Sequence, residues 1–140
     1  MNDLTLRDFK DSDFDSLGTL WASTCVGNPA RGDSLESIHR TLQAGGRLLV
    51  LEAEGVVAGS CWLTDDGRRL YVHHMAVIPE MQDRGLGRRL LEKAVAIAAE
   101  RGRQMKLEVE AGNERAIHLY RKLGFDFIGD YEVMLRRSIG

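Results

Sequence analysis

The sequence predicts an α/β protein, a mixed α+β sheet with helices on both faces, in the order β-α-α-β-β-β-α-β-α-β-β. Three observations carry this prediction. Apolar runs at 48–51, 56–63 and 70–78 follow one another across short turns at Glu54-Gly55 and Asp65-Asp66-Gly67, the pattern of successive antiparallel strands. Leu86, Leu90, Leu91, Ala94, Val95, Ile97 and Ala98 then recur at helical spacing through Arg101, with Gly102 at the C-terminal cap. Residues 104–110 form a strand again. A helix joins it to its predecessor, so the two run parallel, and a sheet covered by helices is the packing that buries all these faces.

The remaining elements fill in the order. Leu4 and Leu6, before Asp8, read as a short first strand. Ser12-x-x-Asp15 resembles a helix-opening cap, with Phe14, Leu17, Leu20 and Trp21 as the apolar stripe behind it. Residues 23–32 carry Gly27, Asn28, Pro29 and Gly32 and read as a loop. Asp33-x-x-Glu36 resembles a second cap, before Leu35, Ile38 and Leu42, and Gly45-Gly46 ends that helix. Asn113 caps a helix through Leu123, with Gly124 ending it; 125–128 and 132–137 read as two short closing strands. Residues 1–140 form a single domain on this reading.

Composition narrows the class. A chain of 140 residues, 44% hydrophobic and 29% charged, can bury a core without staples. A net charge of −2 argues against a general nucleic-acid or anionic-membrane surface, so neither is expected as a partner. Cys25 and Cys61 lack metal-ligand spacing, and free thiols in a reducing cytosol are expected, with no metal. Neither a signal peptide, nor an apolar run of transmembrane length, nor a lipidation motif is present. The expectation is a soluble cytoplasmic protein, monomer or homodimer.

The chain is organised around the stretch from His74 to Leu91. An apolar strand ends at Val77-Ile78 and is stopped by Pro79; a helix opens at Leu86; Gln82-x-x-Gly85-x-Gly87 lies between. Glycines there permit a tight turn and close approach of a ligand. The first helical amides point outward at the positive end of the dipole, and Arg84, Arg88 and Arg89 add charge. This is a phosphate or pyrophosphate cradle. A Walker A loop needs Gly-Lys-Ser/Thr where Gly87-Arg88-Arg89 stands, and a dinucleotide fingerprint needs glycine at Leu90.

The pattern that fits is the acyl-coenzyme A loop Gln/Arg-x-x-Gly-x-Gly/Ala, which this turn resembles, of the GNAT acetyltransferase superfamily. Downstream, Leu107-Glu108-Val109, Asn113-x-x-Ala116-x-x-Leu119-Tyr120 and Gly124-Phe125 are similar to that superfamily's second block. It is most similar to the version seen in acetyltransferases that modify protein N-termini. The element order also resembles the GNAT fold over nearly the whole chain.

The resemblance implies acetyl-CoA as co-substrate and a primary amine as acceptor, a small molecule or a peptide N-terminus, attacking directly in a ternary complex. It places the cofactor along Met75, Ala76 and Val77, over Gln82, Asp83, Arg84, Gly85, Leu86, Gly87 and Arg88, and against Asn113 and Tyr120. A backbone N–H near Val77 then polarises the carbonyl, Glu108 supplies base function, and Tyr120, with an ordinary pKa of about 10, donates to the departing thiolate. Strand alternation supports a role for this region by itself. It sets Lys106, Glu108 and Glu110 on one face and Met105, Leu107 and Val109 on the other.

Alternatives stand beside these assignments. Many members carry a glutamate on the strand before the glycine turn, whereas here that strand has His73 and His74, either of which can serve as base, as can Glu110. A solvated strand face is the plain alternative for Glu110 and, with the block match against it, for Glu108, and Tyr120 has a packing reading. Cys61 and Trp21 read as core. Asp33, Glu36 and Glu132 can attract a cationic amine. A non-catalytic acyl-CoA-binding module, sensor or structural subunit, is the alternative function, and a phosphate-ligand binder outside the family is a third.

Overall fold

The computed structural model describes residues 3–26 and 32–139. They fall in two compact units, one up to Glu108 and one from Val109.

The first unit holds a five-stranded sheet in the order β1-β2-β3-β4-β5. Its strands are β1 (Leu4–Asp8), β2 (Arg47–Ala53), β3 (Val56–Asp65), β4 (Arg69–Val77) and β5 (Gln104–Leu107). The first four pair antiparallel; β5 joins β4 in parallel, with Val72 opposite Leu107. The parallel step follows from α3 (Leu86–Arg101), which carries the chain back to the end of the sheet where β4 begins.

Both sheet faces are covered. Leu48, Val50, Trp62 and Ala76 on one face form a buried cluster with Leu17, Leu20 and Trp21 of α1 (Phe14–Thr24) and Ile38 of α2 (Leu35–Gln43). Trp62 Nε1–H donates to Thr41 Oγ1 at 2.9 Å, tying α2 to β3. Leu49 and Leu51 point to the other face by strand alternation. There α3 buries Leu86, Leu90, Leu91, Ala94, Ile97 and Ala98, the stripe expected from the sequence. Gly59 makes that approach possible: a Cβ on it would stand 3.0 Å from both Leu90 Cδ1 and the Ala76 carbonyl oxygen.

Some boundaries differ from expectation. Ser12 does not cap α1; a 3₁₀ turn, Asp11–Asp13, precedes it. Asp13 instead accepts from the Lys10 amide at 2.9 Å and from both terminal nitrogens of Arg7, at 2.8 and 2.9 Å. The α2 cap is Ser34, whose hydroxyl accepts from the Ser37 amide, one residue later than expected. Asp33 is thereby released for another contact. Part of the expected 23–32 loop lies outside the described residues. No helix among the described residues is long and apolar enough to cross a membrane.

The second unit holds α4 (Glu114–Lys122), capped by Asn113, whose side chain accepts from the Ala116 amide at 3.2 Å. Gly124 follows at φ +94° and ends it. The two closing strands expected at 125–128 and 132–137 do not form; 125–139 is irregular. Phe127, Ile128, Tyr131, Val133, Met134 and Leu135 are exposed. An alternating apolar pattern becomes a strand only when its amides and carbonyls find a ladder partner, and within this unit they find none.

Candidate active site

The turn after β4 has the form of an anion cradle. Pro79–Met81 makes a 3₁₀ turn, and Gln82 Nε2–H reaches back to the Val77 carbonyl at 3.0 Å, fastening the turn to the strand end. Asp83 and Gly85 both take left-handed backbone, at φ +67° and +77°. At Gly85 this conformation is free of cost, and the space around its Cα is open. Gly85 is the N-cap of α3 and brings no side-chain cap. The helical ladder begins with Arg89 N–H to the Gly85 carbonyl at 3.1 Å, which leaves the amides of Leu86, Gly87 and Arg88 outside it. Arg84, Arg88 and Arg89 are exposed around them, Arg88 also pairing with Glu92 at 3.1 Å.

Beside the cradle, β4 is bulged. Ser60 of β3 opposes Ala76 and Trp62 opposes His73, so Cys61 alone faces His74 and Met75. His74 sits in the bulge at φ +46°, a left-handed conformation that costs a non-glycine residue roughly 1–2 kcal/mol. Three contacts hold it there. Ser60 Oγ–H donates to the His74 carbonyl at 2.7 Å, and Trp21 Nε1–H donates to that hydroxyl at 2.9 Å. The His74 ring stands edge-on to Trp21 and Trp62, with centroids 4.7 and 5.3 Å away. Its Nε2 lies 2.8 Å from Asp33 Oδ1, with both side chains largely buried. Beyond Asp33 a groove of about 720 Å³ runs along α1, between Phe14, Gly18 and Ala22.

His73 faces the same cluster. Its Nε2 is 2.8 Å from Thr64 Oγ1 and its ring stacks on Tyr71. Burial, and then the neighbouring His74, hold its pKa below the ordinary imidazole value, against opposing pulls from Glu108 and Asp33. His73, His74, Asp33 and Glu108 therefore share one local field. Lys106 lies on this face too, its Nζ 5.3 Å from the Tyr71 ring centre. Glu108 is exposed, one residue past the end of β5, and Glu110 is exposed in the second unit. β5 is shorter than the expected 104–110 strand because its pairing with β4 stops at Val72 and Leu107; the chain then turns at 110–113, where the Asn113 amide donates to the Glu110 carbonyl at 3.1 Å.

In the second unit Asn113 is committed to capping, and Tyr120 is half-buried. The Phe125 amide donates to the Tyr120 carbonyl at 3.0 Å, and the two rings lie 6.0 Å apart. Cys61 is fully buried, and burial pushes its thiol up to about 12, so it is core rather than nucleophile. Trp21 is core as expected, with its indole N–H used in the bulge.

Met75, Ala76 and Val77 are brought together with Gln82, Asp83, Arg84, Gly85, Leu86, Gly87 and Arg88 at one strand end and turn. The pairing of His74 with Asp33 was not legible in the sequence. The two are 41 residues apart, and Asp33 occupied an apparent helix cap.

Comparison with known proteins agrees with this geometry. Residues 14–125 match the acetyltransferase (GNAT) family. The chain is 30% identical over 136 residues to a mycothiol acetyltransferase of Propionibacterium freudenreichii subsp. shermanii, covering 89% of this chain and 44% of that protein. It is 38% identical over 92 residues to the L-amino acid N-acyltransferase MnaT of Escherichia coli K12, covering 61% of this chain and 53% of that protein. The crystal structure of the ribosomal-protein-S18-alanine N-acetyltransferase from Escherichia coli superposes with a TM-score of 0.75 at 26% identity, over 90% of this chain and 78% of that one. The chain thus spans less than half the length of the mycothiol acetyltransferase it matches. A glycine turn opening an uncapped helix beside a bulged strand, and a family match running from α1 to Phe125, lead to one assignment: the chain belongs to the acetyltransferase (GNAT) family.

Proposed function

We propose that this chain transfers the acetyl group of acetyl-CoA to a primary amine by direct attack in a ternary complex. The observation that carries the reading is the uncapped first turn of α3, opening at Gly85, directly after the bulged strand that carries His73 and His74. The amides of Leu86, Gly87 and Arg88 bind the pyrophosphate, and the neighbouring arginines add charge. The thioester then lies along Met75, Ala76 and Val77, where a backbone N–H polarises its carbonyl.

The amine nitrogen forms its bond to the acetyl carbon as the C–S bond breaks. One proton leaves the amine for Glu108, the family's counterpart in this role, with His73 the next acceptor on the same face. Tyr120 returns a proton to the thiolate, and Asn113 holds the start of the helix that carries it. An α-amine with pKa of about 7.7–8.0 needs less help from the base than a lysine at about 10.4. The relatives named for mycothiol, L-amino acids and a ribosomal protein's alanine support a primary-amine acceptor without choosing among them. The reading treats residues 1–140 as one catalytic domain, cytoplasmic, monomeric or homodimeric, acting without metal, nucleic acid or membrane. Amine-dependent release of coenzyme A thiol from acetyl-CoA tests it.

A further inference from the structure

His74 has two ring nitrogens in different situations. A carboxylate only accepts, so the 2.8 Å contact with Asp33 Oδ1 places a hydrogen on Nε2. In the neutral ring Nδ1 is then a bare acceptor. It has no hydrogen-bond partner among the described residues, and no fully buried side-chain nitrogen or oxygen there lacks one, so Nδ1 is open to solvent. The ring cannot turn freely, being held edge-on by Trp21 and Trp62. Its backbone is fixed in the bulge by Ser60, one residue before Met75 and two before Ala76. A rigid acceptor thus stands beside the backbone along which the thioester is placed.

We propose that His74 Nδ1 holds the acceptor by accepting one N–H of its amine, with Asp33 as the positioning residue that fixes this tautomer, and that the site therefore selects primary amines. The inference rests on the acetyl-transfer reading and deepens it. A neutral primary amine has two N–H bonds. One proton leaves to the base as the N–C bond forms and the C–S bond breaks, and the thiolate is protonated. The other hydrogen stays on nitrogen, through to the amide product, and is the one His74 holds. A secondary amine has a single N–H, which must be lost, so nothing remains for Nδ1. A site built around a hydrogen bond rejects the analogue that lacks it far more sharply than an apolar pocket does.

Two measurements test this. Imidazole ¹⁵N NMR of the parent at pH 8 should show His74 protonated at Nε2 and bare at Nδ1; the opposite tautomer overturns the proposal. Thiol release is then measured with phenethylamine, glucosamine, L-methionine and an alanine-initiated tripeptide, and with the N-methyl counterpart of each substrate that is turned over. The parent should prefer the primary amine, and His74→Asn, which tolerates the left-handed backbone, should lower that preference by about tenfold or more, with KM for acetyl-CoA within about twofold. Asp33→Ala, which removes the acceptor of the Nε2–H, should shift the same ratio in the same direction and serves if His74→Asn does not fold. The Asp33 variant keeps the His74 ring, so any steric penalty of the methyl group cancels in that comparison. An unchanged ratio in a folded variant overturns the inference alone. No thiol release by the parent with any of the four primary amines overturns the transfer reading and this inference with it.

Discussion

The indole N–H of Trp21 and the hydroxyl of Ser60 meet at 2.9 Å inside the core, and the same hydroxyl donates onward to the His74 carbonyl at 2.7 Å. Ser60 is fully buried, so neither partner has water to fall back on. Ser60→Ala should cost about 2 kcal/mol, because it leaves one donor and one acceptor without their bond. Urea unfolding of parent and variant measures the difference. A change under about 0.5 kcal/mol would mean the bulge is held by the strands alone.

Gly87→Val should weaken coenzyme A binding by about tenfold or more. Hydrogen bonds from amides to a charged group are worth about 1.5–3 kcal/mol each, and a branched side chain at the cradle blocks their formation. Arg88→Ala should cost less, since Arg88 is exposed and already shared with Glu92. Calorimetric titration with coenzyme A checks both; a folded Gly87→Val variant with parental affinity removes the cradle.

Glu108→Gln should lower turnover most at low pH, where free amine is scarce, and leave coenzyme A affinity unchanged. An unchanged pH–rate profile would pass the role to His73, whose buried and therefore readily neutral ring is the next proton acceptor on the same face. Tyr120→Phe keeps the ring against Phe125 and should reduce kcat by about 100-fold, with KM for acetyl-CoA little changed. A kcat within about twofold of the parent would make Tyr120 a packing residue.

Asp13 anchors β1 to the start of α1. The Arg7 guanidinium holds its carboxyl below the usual range, against the opposing effect of burial. A folded pKa below the unfolded value of about 3.9 means the ion pair's contribution is complete above that value and is lost as pH falls through the lower, folded one. Asp13→Asn should therefore cost about 2 kcal/mol at pH 7, a value between exposed and buried pairs because Arg7 keeps 22% of its side-chain exposure. The gap between parent and variant in denaturant unfolding should narrow as pH falls below about 3.9, the unfolded value. A gap independent of pH would assign the cost to lost hydrogen bonds rather than charge.

The sheet, the α3 stripe and the glycine turn were readable because each depends on local periodicity or on a backbone conformation few residues tolerate. Leu86, Leu90 and Leu91 are buried where the spacing puts them, and Gly102 ends α3 at φ +69°. Long-range polar choices were not readable. Asp33 has the look of a cap, yet Ser34 takes that place and Asp33 meets His74 across the fold. Asp13 stands at the N-cap of α1, yet its side chain meets Arg7 of β1 and makes no cap bond to that helix. Apolar alternation at 132–137 has the pattern of a strand without a ladder partner in its own unit, and pattern alone does not supply one.

Amine-dependent thiol release from acetyl-CoA, with mass spectrometry of the amine, tests the central reading most directly. The expected result is one acetyl group gained by a primary amine for each coenzyme A released, and no acetylated protein intermediate. Tight coenzyme A binding with no amine-dependent release across primary amines of every class would contradict it, and would make the chain an acyl-CoA-binding module that does not turn over.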